Sequence, residues 1–312
     1  MFKDNKKIFL VINTSFFGDA LLCNSLCRNI KRNYPESKII FVVNKPYKDA
    51  AKYQQDVDEV ISYDKNGKNK GLLGILRFLF DFPYKFPFCA FIPYRGERNY
   101  IIARLLGAKH IITEDKNNLN CSVQQRHTEL LYQLNVKNIV NMPIRYKVSD
   151  IIPEHLNCTI SKGLKYIAIC PLSKSIKKDL PVDVCVDLIK KINDTYYNVL
   201  LLGVGKDMKD YAEKLKIAGC KFIDLVGKTT IPELASVLKN CECLVSVDTG
   251  TMHLGCAVDI PVVAVFYRKN TTKFWAPDPK LYKSIVISEN QSADNIFNAL
   301  IKITGEAHVQ RK

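Results

Sequence analysis

A polar turn between two apolar runs is the part of the chain whose residue types could do chemistry. Cys243–Val247 leads into Asp248-Thr249-Gly250, and His253 follows three residues later. The pattern predicts a strand, a turn and a helix over 251–258, then a second strand over 262–266. Because ligands bind where parallel strands end and helices begin, the N–H groups at the start of that helix suit a phosphate. The structural alternative is that Asp248 and Thr249 cap the helix and His253 is an ordinary half-buried histidine.

Alternating strands and helices would position these residues. Apolar runs predict further strands at 7–13, 38–43, 59–62, 88–92, 110–112, 166–170, 198–202 and 222–225. Helical spacing predicts helices at 20–33, 47–54, 72–81, 99–106, 123–134, 181–192, 231–238 and 293–303, and one that ends near 217. This alternation is typical of doubly wound parallel sheets. The weakly periodic stretch 135–165 is predicted to link two Rossmann-like domains, 1–150 and 151–312, which face a central cleft that holds the active site.

The composition indicates a globular protein that we expect in the cytoplasm. The 312 residues are 47% hydrophobic and 25% charged, and no apolar run approaches the roughly 20 residues needed to span a bilayer. The short apolar stretch near the N-terminus lacks a small-residue cleavage site, so we expect no secretory signal. Eleven cysteines without a CxxC pair predict buried thiols, and neither disulfides nor a metal site.

The charge of the chain favours an anionic partner. The net charge is +15, and residues 1–150 carry 24 Lys+Arg against 14 Asp+Glu, whereas residues 151–312 carry 22 against 17. Because no nucleic-acid-binding motif accompanies this excess, a phosphorylated substrate or an acidic lipid surface is preferred over nucleic acid. The aromatic-rich stretch 71–88 predicts a core helix and an exposed loop, with a membrane-surface contact as the alternative. The lack of GxGxxG and GxxxxGK(S/T) motifs argues against nicotinamide, flavin and P-loop chemistry.

Four segments form an ordered set of motifs. Ser15–Asp19 fits the pattern S-x-x-G-D, and Pro171–Pro181 fits P-x-(A/S) followed by K-x-W-P, with Leu180 in place of the tryptophan. Leu225–Leu234 is similar to L-x-G-x-(T/S) followed by L-x-E-L, and Ser246–Phe266 contains D-(T/S)-G-x-x-H within a longer matching block. In this order the segments resemble glycosyltransferase family 9, the ADP-heptose:lipopolysaccharide heptosyltransferases.

The resemblance implies a GT-B fold, with the acceptor on the N-terminal domain and the nucleotide sugar on the C-terminal domain. It implies an inverting, metal-independent transfer of heptose from ADP-heptose to a lipopolysaccharide or lipooligosaccharide inner-core acceptor, Kdo or heptose. Asp19 would be the general base, with a helix cap as the alternative. Ser173 and Lys178 would hold the diphosphate, although Lys178 could instead be one solvated member of a lysine cluster. The other donor-binding residues would be Asp207, Asp248, Thr249, Gly250 and His253.

No motif identifies the acceptor contacts. Basic residues of the N-terminal half that would suit an acidic core acceptor are Lys65, Lys68, Lys70, Arg95 and Arg98. Tyr267-Arg268-Lys269 stands where the family usually has G-P-T, which would change the wall near the donor. A GT-B enzyme with another donor sugar or a surface-polysaccharide acceptor is therefore an alternative. A nucleotide-sugar 2-epimerase and a non-catalytic sugar-nucleotide-binding protein are alternatives of other classes, and a peripheral contact with the inner face of the cytoplasmic membrane is a further expectation.

Overall fold

The computed structural model describes residues 6–94, 96–114, 121–149, 151–156, 160–161 and 163–305. The chain divides into two compact units, Met1–Arg145 and Tyr146–Lys312, each with one parallel sheet. The strands are β1 Ile8–Asn13, β2 Lys38–Asn44, β3 Glu59–Tyr63, β4 Cys89–Ile92, β5 His110–Thr113, β6 Tyr166–Cys170, β7 Asn198–Leu201, β8 Ile223–Asp224, β9 Cys243–Val247, β10 Val262–Val265 and β11 Ser284–Ile287.

Helices connect the strands in both units. In the first unit they are α1 Phe17–Leu22, α2 Asn24–Asn33, α3 Lys48–Lys52, α4 Gly71–Asp81, α5 Glu97–Leu105 and α6 Val123–Glu129. In the second unit they are α7 Val182–Asn193, α8 Lys206–Ile217, α9 Ile231–Lys239, α10 Gly250–Ala257, α11 Lys269–Trp275 and α12 Ala293–Thr304. Most predicted elements lie within a few residues of these bounds.

The sheet of the first unit has the strand order β3-β2-β1-β4-β5. β1 and β2 are apolar runs that are buried on both faces, as expected for parallel strands covered by helices. α4 and α5 cover one face, where Ile75, Phe78 and Ile102 pack against Leu10 and Val42. Since all neighbouring strands are parallel, the loops after β1 and β5 leave the sheet at the same edge.

The predicted helix 20–33 is wrong in one respect, because the structure breaks it at Cys23 into α1 and α2. The carbonyl of Asp19 would accept the next helical hydrogen bond. It accepts instead from the side-chain amide of Asn13 at 3.3 Å and from the Cys23 thiol at 3.2 Å. Side-chain donors that compete for a helical carbonyl weaken the regular ladder, and the helix restarts at Asn24.

The helix predicted over 123–134 is also shorter than expected. The α-helix ends at Glu129 and continues as a 3-10 turn, Leu130–Leu134. Asn135 then takes a left-handed backbone conformation with φ of 58°, which terminates the turn. The helix predicted over 47–54 is also shorter: a 3-10 turn, Lys45–Tyr47, precedes α3, which ends at Lys52.

Three asparagine side chains of α2 bind the backbone of residues 138–145, which belong to the predicted linker. Asn24 accepts from the backbone N–H of Arg145 at 2.7 Å. Asn29 exchanges two hydrogen bonds with the backbone of Val140, at 2.9 and 3.0 Å. Asn33 donates to the carbonyl of Asn138 at 3.0 Å. The segment before the boundary at 145 is therefore anchored to the first unit by polar contacts, which hydrophobic periodicity does not reveal.

The sheet of the second unit has the order β11-β10-β9-β6-β7-β8. Its core contains Ile167, Val245 and Val263 from three central strands, with Leu188 of α7 and Leu300 of α12 packed on them. Two elements were absent from the predictions, α11 and β11. α11 has threonines and aromatic residues without an apolar helical stripe, and β11 is a four-residue edge strand, so neither carries a strong periodic signal.

The described residues lack two features that would change the assignment of the fold. Within that part of the chain, no helix has both the length and the hydropathy required to cross a bilayer. The same residues contain no group of three or more His, Cys, Asp or Glu side chains that could hold a metal ion.

Candidate functional site

The carboxyl ends of three strands meet at one edge of the second sheet. β6 lies between β9 and β7, and all three run parallel. Ser173 follows β6, Asp207 follows β7 and Asp248 follows β9 directly. Open α/β sheets bind their ligands at this edge, where strand ends and helix N-termini face the same space.

Lys178 and Asp248 form an ion pair at this edge, with Nζ and Oδ2 2.6 Å apart. The Asp248 side chain is 7% exposed and that of Lys178 is 22% exposed. Lys178 ends a 3-10 turn, Ile176–Lys178, which directs its side chain to the end of β9. The lysine is therefore not a freely solvated member of its cluster: it holds a positive charge against a buried carboxylate.

His253 lies beside this pair, one turn into α10. It is buried, and its burial lowers the pKa of the imidazole from 6.5 to about 4. The Asp248 carboxylate opposes this pKa shift and the Lys178 ammonium adds to it, so both charges are close to the ring. The imidazole is neutral at physiological pH and packs near the Trp275 ring, with centroids 6.4 Å apart. A neutral ring offers one donor and one acceptor to a ligand.

The start of α10 supplies backbone donors next to the ion pair. Thr249 is the N-cap residue, with φ of −148° and ψ of 168°, and its side chain makes no capping hydrogen bond. Thr249 and Gly250 are both partly exposed. The first N–H groups of a helix lack intrahelical partners, and the helix dipole places partial positive charge there. An anion can therefore be bound by these N–H groups together with the Lys178 ammonium.

Ser173 belongs to the loop that carries Lys178. Its backbone N–H donates to Oδ1 of Asp179 at 2.7 Å, and its hydroxyl donates to the carbonyl of Ser175 at 2.9 Å. The Ser173 hydroxyl oxygen also accepts from the N–H of Ser175 at 3.0 Å. In this structure the serine shapes the loop, and through the loop it sets the position of Lys178.

Asp207 is exposed in the first turn of α8. It follows β7, whereas Asp248 follows β9 on the other side of β6. The structure thus brings Lys178, Asp248 and His253 together, with Thr249 and Gly250 adjoining and Ser173 supporting the loop. Asp207 lies further along the same sheet edge.

Asp19 lies in the first unit, at the third position of α1, and is 8% exposed. Its Oδ2 accepts from the backbone N–H of Phe16 at 3.2 Å, so the carboxylate does cap the helix start. The helix cap considered as the structural alternative is therefore present in the structure. Asn13, at the end of β1, braces the same loop because its Oδ1 accepts from the N–H of Ser15 at 3.0 Å.

A second carboxylate lies close to Asp19. Glu114 directly follows β5 and pairs with Arg126 of α6, with Oε1 and Nε 3.1 Å apart. Burial raises the pKa of Glu114, the Arg126 charge lowers it and the Asp19 charge raises it. The carboxylates of Asp19 and Glu114 and the guanidinium of Arg126 thus lie close together in the first unit.

Of the basic residues predicted for the acceptor, Lys65 reaches the loop of Asp19. Its ammonium donates to the carbonyl of Thr14 at 2.9 Å, and the Thr14 hydroxyl donates to Asn99 of α5 at 2.9 Å. Arg98 is exposed, with its guanidinium 5.8 Å from the centre of the Tyr63 ring. Lys68 and Lys70 are exposed before α4. Arg95 lies outside the described residues.

Sequence reasoning missed the partners that support these residues. Asn13 and Glu114 were detectable in principle, because each is a polar residue at the carboxyl end of an apolar strand. Arg126 and Trp275 lie on helices without a motif, far along the chain from the residues that they contact. Only the three-dimensional structure reveals them.

Comparison with known proteins agrees with this architecture. The family model described as Glycosyltransferase family 9 (heptosyltransferase) matches residues 113–298, more than half of the chain. The lipopolysaccharide heptosyltransferase 3 of Escherichia coli is 22% identical over 337 residues, which cover 92% of this chain and 93% of that protein.

Two solved structures have the same fold. A family 9 glycosyl transferase from Veillonella parvula superposes with a TM-score of 0.81 at 17% identity, covering 96% of this chain and 98% of that one. An Escherichia coli heptosyltransferase with ADP gives a TM-score of 0.72 at 17% identity, covering 95% and 99%. The predicted GT-B class, with two parallel α/β sheets, is confirmed.

Proposed function

Since this chain belongs to glycosyltransferase family 9, the heptosyltransferase family, we propose that it transfers a heptose from ADP-heptose to a lipopolysaccharide or lipooligosaccharide inner-core acceptor. That the protein is a glycosyltransferase follows from its family. The donor, the acceptor and the mechanism are the proposal. The observation that carries it is the ion pair between Lys178 and buried Asp248, with neutral His253 beside an α-helix N-terminus.

The second unit binds the nucleotide sugar in this proposal. Lys178 and the N–H groups at Thr249 and Gly250 bind the diphosphate, and the Ser173 loop sets the position of the lysine. Asp248 and His253 offer hydrogen-bonding groups to the sugar and the phosphates. Asp207, further along the edge, would contact the nucleoside. A solved Escherichia coli heptosyltransferase with ADP, which has the same fold, supports ADP as the nucleotide.

The chemical step requires stabilisation of a leaving diphosphate. When the bond between the sugar carbon and the ADP oxygen breaks, ADP leaves with the electron pair, and negative charge develops on its outer phosphate. The Lys178 ammonium and the positive end of α10 would neutralise that charge, so the step does not require a metal ion. Because Asp248 already holds the ammonium in place, little reorganisation is needed when the charge develops.

The first unit supplies the base and the acceptor site in this proposal. Asp19 removes the proton of the acceptor hydroxyl while that oxygen attacks the sugar carbon from the face opposite ADP, which inverts the configuration. The hydrogen bond from Phe16 orients the carboxylate. Lys65 and exposed Arg98 would bind acidic groups of a Kdo or phosphorylated heptose acceptor, with Lys68, Lys70 and Arg95 as further basic candidates. The reaction would then take place in the cytoplasm, at the inner face of the cytoplasmic membrane.

Nucleotide selectivity tests the donor site directly. The full chain is titrated by calorimetry with ADP, UDP, GDP and CMP in the presence of a chelator, and thermal shifts are recorded in parallel. Selective binding of ADP, weakened in a Lys178→Met variant and unchanged in a Lys177→Met control, is the expected result. Preference for UDP or GDP would contradict the heptose donor, and binding of none of the four would contradict the site.

A further inference from the structure

An exposed apolar surface of the first unit has no role in the proposed transfer reaction. α4 turns Leu72, Leu73, Leu76 and Phe80 outward, with exposed fractions of 69, 81, 51 and 89%. Because positions 72, 76 and 80 are four residues apart, these side chains form one stripe along the helix. Soluble monomers seldom expose several large apolar side chains together without a binding role.

Two further large apolar side chains of the first unit are exposed outside α4. Phe86 is 82% exposed and has a left-handed backbone with φ of 53°, uncommon for a bulky residue. Its ring lies over Gly107, where an added Cβ would come within 2.6 Å of it. Leu105, which ends α5 and lies two residues before Gly107, is 55% exposed. We define the apolar face as the exposed side chains of α4, Leu72, Leu73, Leu76 and Phe80.

The inner side of α4 is firmly attached, so the outer side is presented on a fixed support. Phe78 packs edge-on against Tyr63 with ring centroids 5.0 Å apart, and Phe82 packs on Phe78 at 5.4 Å. Buried Asn69 closes the start of the helix: it accepts from the N–H of Asp64 at 2.9 Å, and its carbonyl accepts from the Tyr63 hydroxyl at 2.7 Å. Docking of the outer face would therefore cost little ordering entropy.

Basic side chains border the apolar face. Lys68, Lys70, Arg77 and Lys85 are exposed. Residues 65–86 contain five lysines and arginines against a single acidic residue, Asp81. We propose that the apolar face docks on an anionic phospholipid surface, with its large side chains inserted between the headgroups and the basic border on the phosphates.

The geometry favours a lipid surface over a protein. α4 has 11 residues and is about 16 Å long, so it lies in the interface plane and does not cross the bilayer. A second copy would present the same basic border, and like charges would face each other across a two-fold contact. An anionic membrane supplies both the apolar interior and the negative charge that the face lacks. The inference stands on α4 and its surroundings and goes beyond the transfer reaction.

Vesicle flotation tests this assignment with the full chain. At low salt we expect the protein to float with vesicles of phosphatidylcholine and phosphatidylglycerol and to bind phosphatidylcholine alone far more weakly. A Leu73→Glu/Phe80→Glu double variant should bind the anionic vesicles at least tenfold more weakly. The matched control is Ile217→Glu, at a position that is 86% exposed on α8 of the other unit, and it should bind as the wild type does.

Other readouts separate the possible outcomes. Circular dichroism and ADP titration of each variant verify that both units remain folded. Failure of the wild type to float, or flotation of the double variant at wild-type level, would overturn the proposal. A dimer in sedimentation velocity that the double variant abolishes would assign the face to a second copy instead. Flotation without any transfer activity would leave the membrane surface in place and contradict only the proposed reaction.

Discussion

Replacement of Lys178 by methionine should reveal how strongly the donor site is organised around one ion pair. The change removes the ammonium group and retains most of the side-chain volume. It leaves Asp248, 7% exposed, without its partner 2.6 Å away. Removal of one member of a fully buried pair costs about 3–5 kcal/mol. Because the Lys178 side chain is 22% exposed, solvent screens part of the charge, and we expect the free energy of unfolding to fall by about 1–3 kcal/mol at pH 7.

The same variant should bind ADP more weakly. Loss of a charge-assisted hydrogen bond to the diphosphate corresponds to about 1.5–3 kcal/mol. At about 1.4 kcal/mol per factor of ten, the dissociation constant rises roughly tenfold to a hundredfold. Calorimetric titration with ADP measures this effect, and urea unfolding followed by circular dichroism measures the stability.

Two further variants make this prediction specific. Lys177→Met changes an exposed neighbour and should leave both quantities near the wild-type values. Asp248→Asn in the Lys178→Met background removes the stranded charge and should recover most of the lost stability, but not the ADP affinity. If Lys178→Met matches Lys177→Met in stability and in ADP affinity, the reasoning about the pair is wrong.

Three other predictions concern residues around the two sites. Asp19→Asn should lower turnover by about 10²-fold or more with ADP affinity unchanged, and near wild-type turnover would remove Asp19 as the base. The pKa of His253 is about 4 in the folded protein, whereas that of a histidine in the unfolded chain is about 6.5. Between these values the unfolded chain binds a proton that the folded protein does not, so the free energy of unfolding is highest above pH 6.5 and falls as the pH falls to about 4. Urea titrations of the wild type should show that the free energy of unfolding falls by about 3 kcal/mol across this pH range, and His253→Gln should abolish this contribution. The same pH dependence in the variant and in the wild type would argue against a buried neutral ring. Arg126→Gln should destabilise the first unit by about 1–3 kcal/mol at pH 7, and Glu114→Gln in that background should restore most of it; equal stability of all three proteins in urea would contradict a buried pair.

The strand, turn and helix around Asp248 could be predicted from the sequence because each boundary has a local cause. The strands predicted at 166–170 and 243–247 match β6 and β9, since both are short apolar runs buried on both faces and ended by polar or proline residues. The helix break at Cys23 could not be predicted in this way. It depends on Asn13, which lies ten residues earlier and reaches the carbonyl of Asp19.

The sequence motifs predict individual candidate residues of the site but not how these residues are arranged. Separate motifs contain Lys178 and Asp248, and the contact between them at 2.6 Å joins two loops that are far apart in the chain. The pairing of Glu114 with Arg126 beside Asp19 had no sequence signal, because neither residue belongs to a motif. Hydrophobic periodicity identifies strands and helices, whereas the polar contacts between loops depend on tertiary structure.

The most direct test of the proposed reaction is a transfer assay with defined substrates. The full chain is incubated with ADP-heptose and a lipopolysaccharide acceptor truncated at Kdo or at the first heptose, and the product is analysed by mass spectrometry. The proposal predicts that the acceptor gains one heptose, that ADP is released in equal amount and that Asp19→Asn slows both. ADP-heptose left unchanged with every inner-core acceptor, while another nucleotide sugar is consumed, would contradict heptose transfer by this protein.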